Sequence, residues 1–150
     1  MAITAPFREA VPGDISTYDV AAGEDLSECE YCAVQLTANT NRTVELWETG
    51  NMPVGILCNR PVAVDQADRN QFSTEALVQW RGKALVKAGA IEGVQSGLVA
   101  GDLVKLASGG VGVKATPSDG DIIIGQCEVG ADAGYPATVR LNIGYVSTGA

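Results

Sequence analysis

Apolar and polar residues alternate with a period of two along much of the chain. The alternation runs from Cys32 to Leu36 and resumes from Val44 to Leu46 after a polar connection. Because successive side chains of a strand point to opposite faces, this pattern predicts a β-hairpin whose buried face includes Cys32, Val34 and Leu36. After the turn that begins at Gly50, the apolar run Val54 to Cys58 predicts another short buried strand.

The clearest alternation covers Glu75 to Lys87, which we interpret as one strand with a bulge or bend at Gly82. Its apolar face consists of Ala76, Val78, Trp80, Ala84 and Val86. The preceding polar segment, 64–72, is consistent with one or two helical turns or with a loop.

The second half repeats this scheme of short strands separated by glycine turns. Residues 104–106 and 111–115 flank a Ser-Gly-Gly turn, and residues 123–129 and 139–145 alternate again. Strands this short and this frequent predict an all-β fold, a small β-barrel or sandwich of antiparallel strands.

The two halves also correspond in sequence. The segment 44–50 aligns with 104–110, Gly55 aligns with Gly125, and 77–80 aligns with 138–141. Two copies are too few for an open array, so the correspondence suggests a two-unit pseudo-repeat around a closed or paired-sheet core.

The order of glycines and strands in the second half resembles that of tailed-bacteriophage capsid decoration, or cement, proteins. The resemblance covers about the last 110 residues and depends on glycine spacing. The segments that carry it are Ala88–Ile91, Gly101–Leu106, Gly109–Gly110, Asp119–Gly125, Ala133–Gly134 and Thr138–Leu141. The first half matches only loosely, and the Cys-x-x-Cys motif departs from the family pattern.

This resemblance implies a structural protein that binds the outer surface of the expanded phage head and stabilises the lattice of the major capsid protein. It further implies a homotrimer without a cofactor, made in the host cytoplasm and located on the exterior surface of the virion capsid. Binding that favours the expanded lattice stabilises it by mass action, and many symmetric copies multiply a modest contact.

The N-terminal region, 1–27, is interrupted by Pro6, Pro12, Gly13 and Gly23 and shows no amphipathic period. We interpret residues 1–27 as an extended N-terminal arm and residues 28–150 as a single β domain; a frayed terminus is the alternative. Within the arm, Pro6, Phe7 and Arg8 are the predicted capsid contact, because an extended segment with one aromatic anchor and one cation can add to a neighbouring sheet edge.

Charge and hydropathy limit the partners. Ten basic residues against 18 acidic ones give a formal net charge of −8, which repels nucleic acid and anionic membranes. The N-terminus lacks the pattern of a secretory signal, and no run approaches the roughly 20 apolar residues that span a bilayer.

The residues that usually perform catalysis do not cluster. The chain has no histidine, which removes the commonest general base and zinc ligand. The carboxylate pairs 24/25, 65/68 and 119/121 lie in polar or glycine-rich connections, where solvated surface is the usual role. Asp119 and Asp121 could offer oxygens to calcium, but an Asp-Gly turn is favoured. We therefore expect the protein not to be an enzyme.

Four cysteines leave several states open. Cys29 and Cys32 have the spacing of a metal knuckle or redox pair, and Cys58 and Cys127 could complete a zinc site. The latter two fall on apolar strands, where a free cysteine behaves as a small hydrophobe. Free, bridged and metal-bound states all remain possible from the sequence, and a zinc-stabilised β domain is one alternative interpretation.

The two tryptophans define the main alternative function, a phage surface domain that binds carbohydrate as adhesins do. A sugar platform needs an exposed aromatic ring, and Trp47, which lies on the face opposite Val44 and Leu46, is the candidate for it, although core packing is about equally favoured for this residue. Trp80 is expected in the core. The glycine runs do not predict a phosphate cradle, because Gly109–Gly112 is followed by β-type alternation and not by a helix.

Overall fold

The computed structural model describes residues 14–66, 73–116 and 122–146, with side chains up to residue 144. This part of the chain is all-β, as predicted, and contains a single 3₁₀ turn, Val64–Gln66, and no α-helix. The strands are β1 Ile15–Val20, β2 Ala33–Leu36, β3 Thr43–Leu46, β4 Gly55–Leu57, β5 Glu75–Gln79, β6 Arg81–Lys87, β7 Ala90–Ile91, β8 Gln95–Ser96, β9 Leu103–Ala107, β10 Val111–Lys114, β11 Ile122–Val129 and β12 Pro136–Val146.

The first five strands close into a barrel in the order β1-β3-β2-β4-β5. The predicted hairpin is confirmed, since Val34 lies opposite Leu46 and Gln35 opposite Glu45 in an antiparallel pair. Closure depends on the parallel pairing of β1 with β3, in which Val20 lies opposite Val44. The interior is filled mainly by aliphatic side chains: Val20, Leu26, Val34, Val44, Leu57, Ala63, Ala76 and Val78.

The remaining long strands form a five-stranded sheet in the order β10-β9-β11-β12-β6, which we call the open sheet. Strands β7 and β8 form a small separate hairpin. The predicted strand pair around the Ser-Gly-Gly turn is confirmed as β9 and β10, with Val111 opposite Ala107.

The open sheet has the same strand order and directions as the barrel. If β6, β9, β10, β11 and β12 are matched with β1, β2, β3, β4 and β5, every antiparallel pair of the barrel has a counterpart in the open sheet. The parallel β1–β3 pairing is reduced to a single parallel bridge between Ala88 and Gly112. The predicted pseudo-repeat therefore corresponds to two units of one topology, the second opened between β6 and β10.

The connections between strands also correspond in the two units. In the barrel, Asp25 bridges Val62 and the amide of Leu26 donates to the carbonyl of Pro61. In the second unit, Leu98 bridges Ala131, and the amide of Leu98 donates to the carbonyl of that residue. Leu26 and Leu98 are both buried, so each unit uses a leucine to cover an end of its core.

Backbone from the barrel occupies the opening between β6 and β10. The carbonyl of Tyr31 accepts a hydrogen bond from the amide of Lys87, and the amide of Ala33 donates to the carbonyl of Gly110, both at 2.8 Å. Side chains on the outside of the barrel wall, Ala33, Trp47 and Ile56, join the core of the open sheet. The open sheet is thus completed by the neighbouring barrel, and the two units share one core cluster.

The predicted continuous strand over 75–87 is instead two strands. β5 belongs to the barrel and β6 to the open sheet, and only Trp80 lies between them. The buried side-chain amide of Gln79 donates to the carbonyls of Arg81 and Lys83, at 3.0 and 2.9 Å. Gln79 therefore satisfies acceptors on the outer edge of β6 that would otherwise lack a partner.

Two further predictions differ from the structure. Residues 15–20, predicted to belong to the arm, form β1, which is a strand of the barrel wall paired with β3 and β5. The predicted boundary at residue 27 is therefore not a structural boundary. The polar composition of β1 hid it, since only Val20 of this strand is buried. Leu36, predicted to face inward, is 54% exposed, and the buried part of β2 ends at Gln35.

Candidate interaction surface

Several residues singled out from the sequence lie outside the described part of the chain. These are the predicted capsid contact, Pro6, Phe7 and Arg8, together with Asp68, Asp119 and Asp121. The described chain begins at Asp14, whose buried carboxylate forms a 2.7 Å ion pair with Arg81. The carbonyl of Asp14 also accepts a hydrogen bond from the amide of Trp80. Asp14, the first described residue, is therefore linked to the junction between the two units.

The carboxylates of the predicted pairs that lie in the described residues accept hydrogen bonds from nearby backbone amides. Asp25 accepts hydrogen bonds from the hydroxyl and the amide of Ser27, and these bonds hold the pKa of Asp25 below its ordinary value. Glu24 accepts from the amide of Leu46, and Asp65 from the amide of Gly23. Each of these groups fixes a connection at the end of the barrel, which is a structural role.

All four cysteines are free thiols in the structure. Cys29 and Cys32 lie in one tight turn, in which the amide of Cys32 donates to the carbonyl of Cys29. Burial raises the pKa of the Cys32 thiol to about 11, and burial also raises the pKa values of the other three thiols. Cys58 follows β4 of the barrel and Cys127 lies in β11 of the open sheet. Among the described residues, no group of three or more Cys, Asp or Glu side chains is placed to hold a metal ion.

The expectation that Trp80 lies in the core is wrong, and Trp47, for which the sequence leaves core and surface open, is buried. Trp47 is 7% exposed, and its indole N–H donates to the carbonyl of Asn51 at 2.7 Å, so it does not present a sugar platform. Trp80 is 37% exposed, with the guanidinium of Arg81 5.0 Å from the ring centroid. The strand switch explains the error, because alternation within one strand cannot be extended through a residue that connects two sheets.

The outer side of β1 and β5 forms an acidic surface, which we call the acidic face (Ile15, Thr17, Asp19, Glu75 and Leu77). Asp19 lies directly opposite Glu75, and Thr17 lies opposite Leu77. Like charges in opposite positions of an antiparallel pair are destabilising. Both carboxylates are exposed, and neither side chain has a hydrogen bond or ion pair within the described residues. The nearby Arg42 guanidinium instead donates to the carbonyl of Thr17 and stacks on Tyr18.

The outer side of β6 and β12 forms a second surface, which we call the basic face (Lys83, Leu85, Lys87, Thr138 and Arg140). Lys83 lies opposite Arg140, and Leu85 lies opposite Thr138. Glu128 of the adjacent strand pairs with Arg140 at 2.6 Å and with Lys83 at 3.4 Å. The hydrogen bond from Arg140 is the main cause of the lowered pKa of Glu128. Two cations share one carboxylate, so this part of the face retains an excess of positive charge.

The two faces occupy equivalent positions in the two units, since β6 and β12 correspond to β1 and β5. Each presents an exposed leucine opposite a threonine, with Leu77 39% and Leu85 43% exposed. Their charges are opposite. The same asymmetry appears in the whole sequence, where residues 1–80 contain twelve acidic and four basic residues and residues 81–150 contain six of each.

A groove of about 450 Å³ lies beside the basic face. Gly125 is part of its lining and is paired with Val104 and Leu141, next to a bulge that interrupts the pairing of β11. A Cβ atom at Gly125 would overlap the carbonyl oxygen of Arg140, so glycine is needed for the close approach of β11 and β12. The groove is lined by apolar side chains, the amides of Gln126 and Asn142 and the guanidinium of Arg140, a combination suited to contact with another molecule.

Sequence reasoning missed both charged faces. Their residues come from strands that are far apart in the sequence, and the partner strands could be identified only from the three-dimensional register. The available signal was the uneven charge of the two halves together with the predicted pseudo-repeat.

Comparison with known proteins identifies a similar fold but no family. No protein family model and no curated protein matches this chain. The chain is similar to the solved structure described as head fiber gp8.5 N base in bacteriophage phi29, with a TM-score of 0.58 and 14% sequence identity. The alignment covers 85% of this chain and 92% of that one. The likeness establishes a shared fold over most of both chains.

Proposed function

We propose that this protein is a structural component of a phage virion that binds the outer surface of the expanded head and stabilises the major capsid protein lattice. The observation that carries the proposal is the fold shared with the base of a phage head fiber over 85% of this chain. The glycine spacing that resembles capsid decoration proteins supports it independently.

The construction of the molecule is consistent with this role. The barrel has no free strand edge, and at the open sheet β6 and β10 are covered in part by contacts with Gln79, Tyr31, Ala33 and Gly89. Covered edges suit a protein held at high density on a surface, because exposed edges template aggregation. The strong acidic charge also favours a position on the outside of the capsid over one against packaged DNA.

Within this proposal, Pro6, Phe7 and Arg8 are the residues expected to contact the capsid, and the protein acts as a homotrimer without a cofactor. The segment 1–13 connects directly to the junction of the two units at Asp14. A capsid contact made there would be held by both units through the Asp14–Arg81 ion pair and the Asp14–Trp80 hydrogen bond.

Binding to heads tests the proposal. Purified protein is mixed with undecorated expanded heads and, separately, with unexpanded proheads, and bound protein is measured by co-sedimentation and located by electron microscopy. We expect saturable density on expanded heads alone, with an increase in the temperature at which the heads release DNA. Absence of binding to expanded heads from the phage that encodes the protein would overturn the proposal.

The arm is tested with a chain that begins at residue 14, which retains Asp14 and all of β1. Head binding should fall at least tenfold, while the melting temperature of the free protein changes little. A matched variant, Phe7→Ala, should reproduce most of the loss. Undiminished binding by the shortened chain would remove the arm from the capsid contact.

A further inference from the structure

We propose that the acidic face of one copy of this chain binds the basic face of a second copy, so that the molecules associate head to tail. The two faces are the outer sides of β1–β5 and of β6–β12. They lie in equivalent positions of the two units, and each centres on an exposed leucine opposite a threonine.

The charges of the two faces are complementary, and within one molecule they are poorly compensated. Asp19 and Glu75 repel each other across β1 and β5 without a basic partner among the described residues. On the basic face, Lys83 and Arg140 share the single carboxylate of Glu128, with Lys87 on the same strand side. A second copy supplies each face with the charge that it lacks.

Apolar surface supports the same pairing. Leu77 and Ile15 on the acidic face, and Leu85 on the basic face, are each about two-fifths exposed. Docking would bury these side chains at the centre, with charged groups at the rim, which is the usual organisation of a protein–protein interface.

Symmetry then determines the kind of assembly. Because the two faces differ, the contact is heterologous, and repeated use of it forms a ring if the rotation closes. If the rotation between the two faces does not close, the same contact forms an open filament. This inference does not depend on the proposed head binding, because it concerns contacts between copies of this chain alone.

Charge-swap variants test the pairing in the absence of phage heads. The molar mass of the purified protein is measured by light scattering and sedimentation over a range of concentrations, at low and at high salt. We expect a concentration-dependent oligomer that weakens at high salt. Lys83→Glu and Glu75→Lys should each weaken association about tenfold, and the double variant should recover most of the loss.

The controls reverse charges elsewhere. Glu48→Lys changes an exposed residue at the turn after β3, and Glu92→Lys changes an exposed residue in the turn between β7 and β8; both should leave the molar mass unchanged. Leu85→Gln, which removes apolar contact without changing charge, should also weaken association. A circular dichroism melt of each variant shows that it is folded, and Glu75→Lys should melt no lower than wild type because it relieves the repulsion with Asp19.

A protein that is monomeric at every concentration and salt level would overturn the inference. So would control variants that weaken association as much as the face variants, or a double variant that does not recover. Since no heads are present, a negative result here leaves the proposed head binding unaffected, and a failure of head binding leaves this result unaffected.

Discussion

The barrel and the open sheet follow one strand order, yet only the barrel is closed by its own strands. In the barrel, β1 and β3 pair in parallel at Asp19–Thr43 and Val20–Val44, and flanking amides extend the contact. In the open sheet, the equivalent strands β6 and β10 meet only at Ala88 and Gly112. Tyr31 and Ala33 of the barrel satisfy backbone groups at the remaining gap. A second unit of the same topology can therefore remain open where the first unit supplies the missing backbone partners.

Because of this difference, the core of one unit is complete by itself, whereas the core of the other includes side chains from its neighbour. The barrel fills its interior with its own side chains, whereas the core of the open sheet includes Trp47 and Ile56 from the barrel wall. Neighbouring residues of one strand, Ile56 and Leu57, point into different cores. The open sheet should consequently depend on the barrel more than the barrel depends on the open sheet.

The largest expected effect comes from Leu57→Ala and Ile56→Ala, which truncate fully buried side chains in adjacent positions. Each should lower the free energy of unfolding by about 3 kcal/mol. Native-state hydrogen exchange should show lost protection in β1–β5 for Leu57→Ala, and mainly in β6 and β9–β12 for Ile56→Ala. Identical exchange patterns for the two variants would show that the two units unfold together. That result would contradict the greater dependence of the open sheet on the barrel.

The contact at Gly110 is the next test. Gly109 and Gly110 both have positive φ, 88° and 77°, but a Cβ at Gly110 would lie 2.7 Å from the carbonyl oxygen of Ala33, whereas one at Gly109 meets nothing within 4 Å. Gly109→Ala should cost about 1 kcal/mol for the backbone conformation alone. Gly110→Ala should cost about 3 kcal/mol because the barrel must also move away. Equal costs in urea unfolding would mean that this contact does not hold the units together.

A smaller loss is expected for Gln79→Met, which keeps the side-chain size and removes the amide that binds the carbonyls of Arg81 and Lys83. Leaving these partly buried acceptors without a donor should cost about 1 kcal/mol. The exposed Gln126 donates to the carbonyl of Gly101 and is the matched control, so Gln126→Met should cost about 0.5 kcal/mol or less. Thermal unfolding of both variants measures the difference.

The smallest expected effects are changes in the stability of the protein at low pH. Hydrogen bonds from Ser27 lower the pKa of Asp25 in the barrel, and those from Arg140 and Lys83 lower the pKa of Glu128 in the open sheet. A carboxyl group whose pKa is lower in the folded state stabilises the protein above its unfolded pKa, ordinarily 3.8 for Asp and 4.5 for Glu. That contribution is lost as the pH falls through the folded pKa. Asp25→Asn and Glu128→Gln should each flatten the loss of stability below about pH 5. Melting temperatures that fall as steeply as in wild type would contradict this.

Much of the fold could be predicted because it is encoded locally. Alternation identified the hairpin of β2 and β3 and the strands around the Ser-Gly-Gly turn, and the correspondence between segments of the two halves suggested the pseudo-repeat. Its alignment was correct where it matched β4 with β11 and β5 with β12. It was wrong by one strand at 104–110, because β9 corresponds to β2 and not to β3.

The remainder depends on contacts between distant segments. No local pattern distinguishes a long strand from one that passes between two sheets at Trp80, so the exposure of this residue was mispredicted. The strand β1 was missed because its partners, β3 and β5, compensate for a polar sequence with backbone hydrogen bonds. The charged faces were missed for the same reason, since opposite positions such as Lys83 and Arg140 are 57 residues apart in the sequence.

The single crossing between the units at Trp80 has a consequence for synthesis of the chain. Every strand of the barrel precedes this residue and every strand of the open sheet follows it. A growing chain can therefore complete the barrel while the later strands are still being made, since domains generally fold as units from the N-terminal side. The finished barrel wall would then act as a template on which the last 70 residues assemble as they emerge from the ribosome.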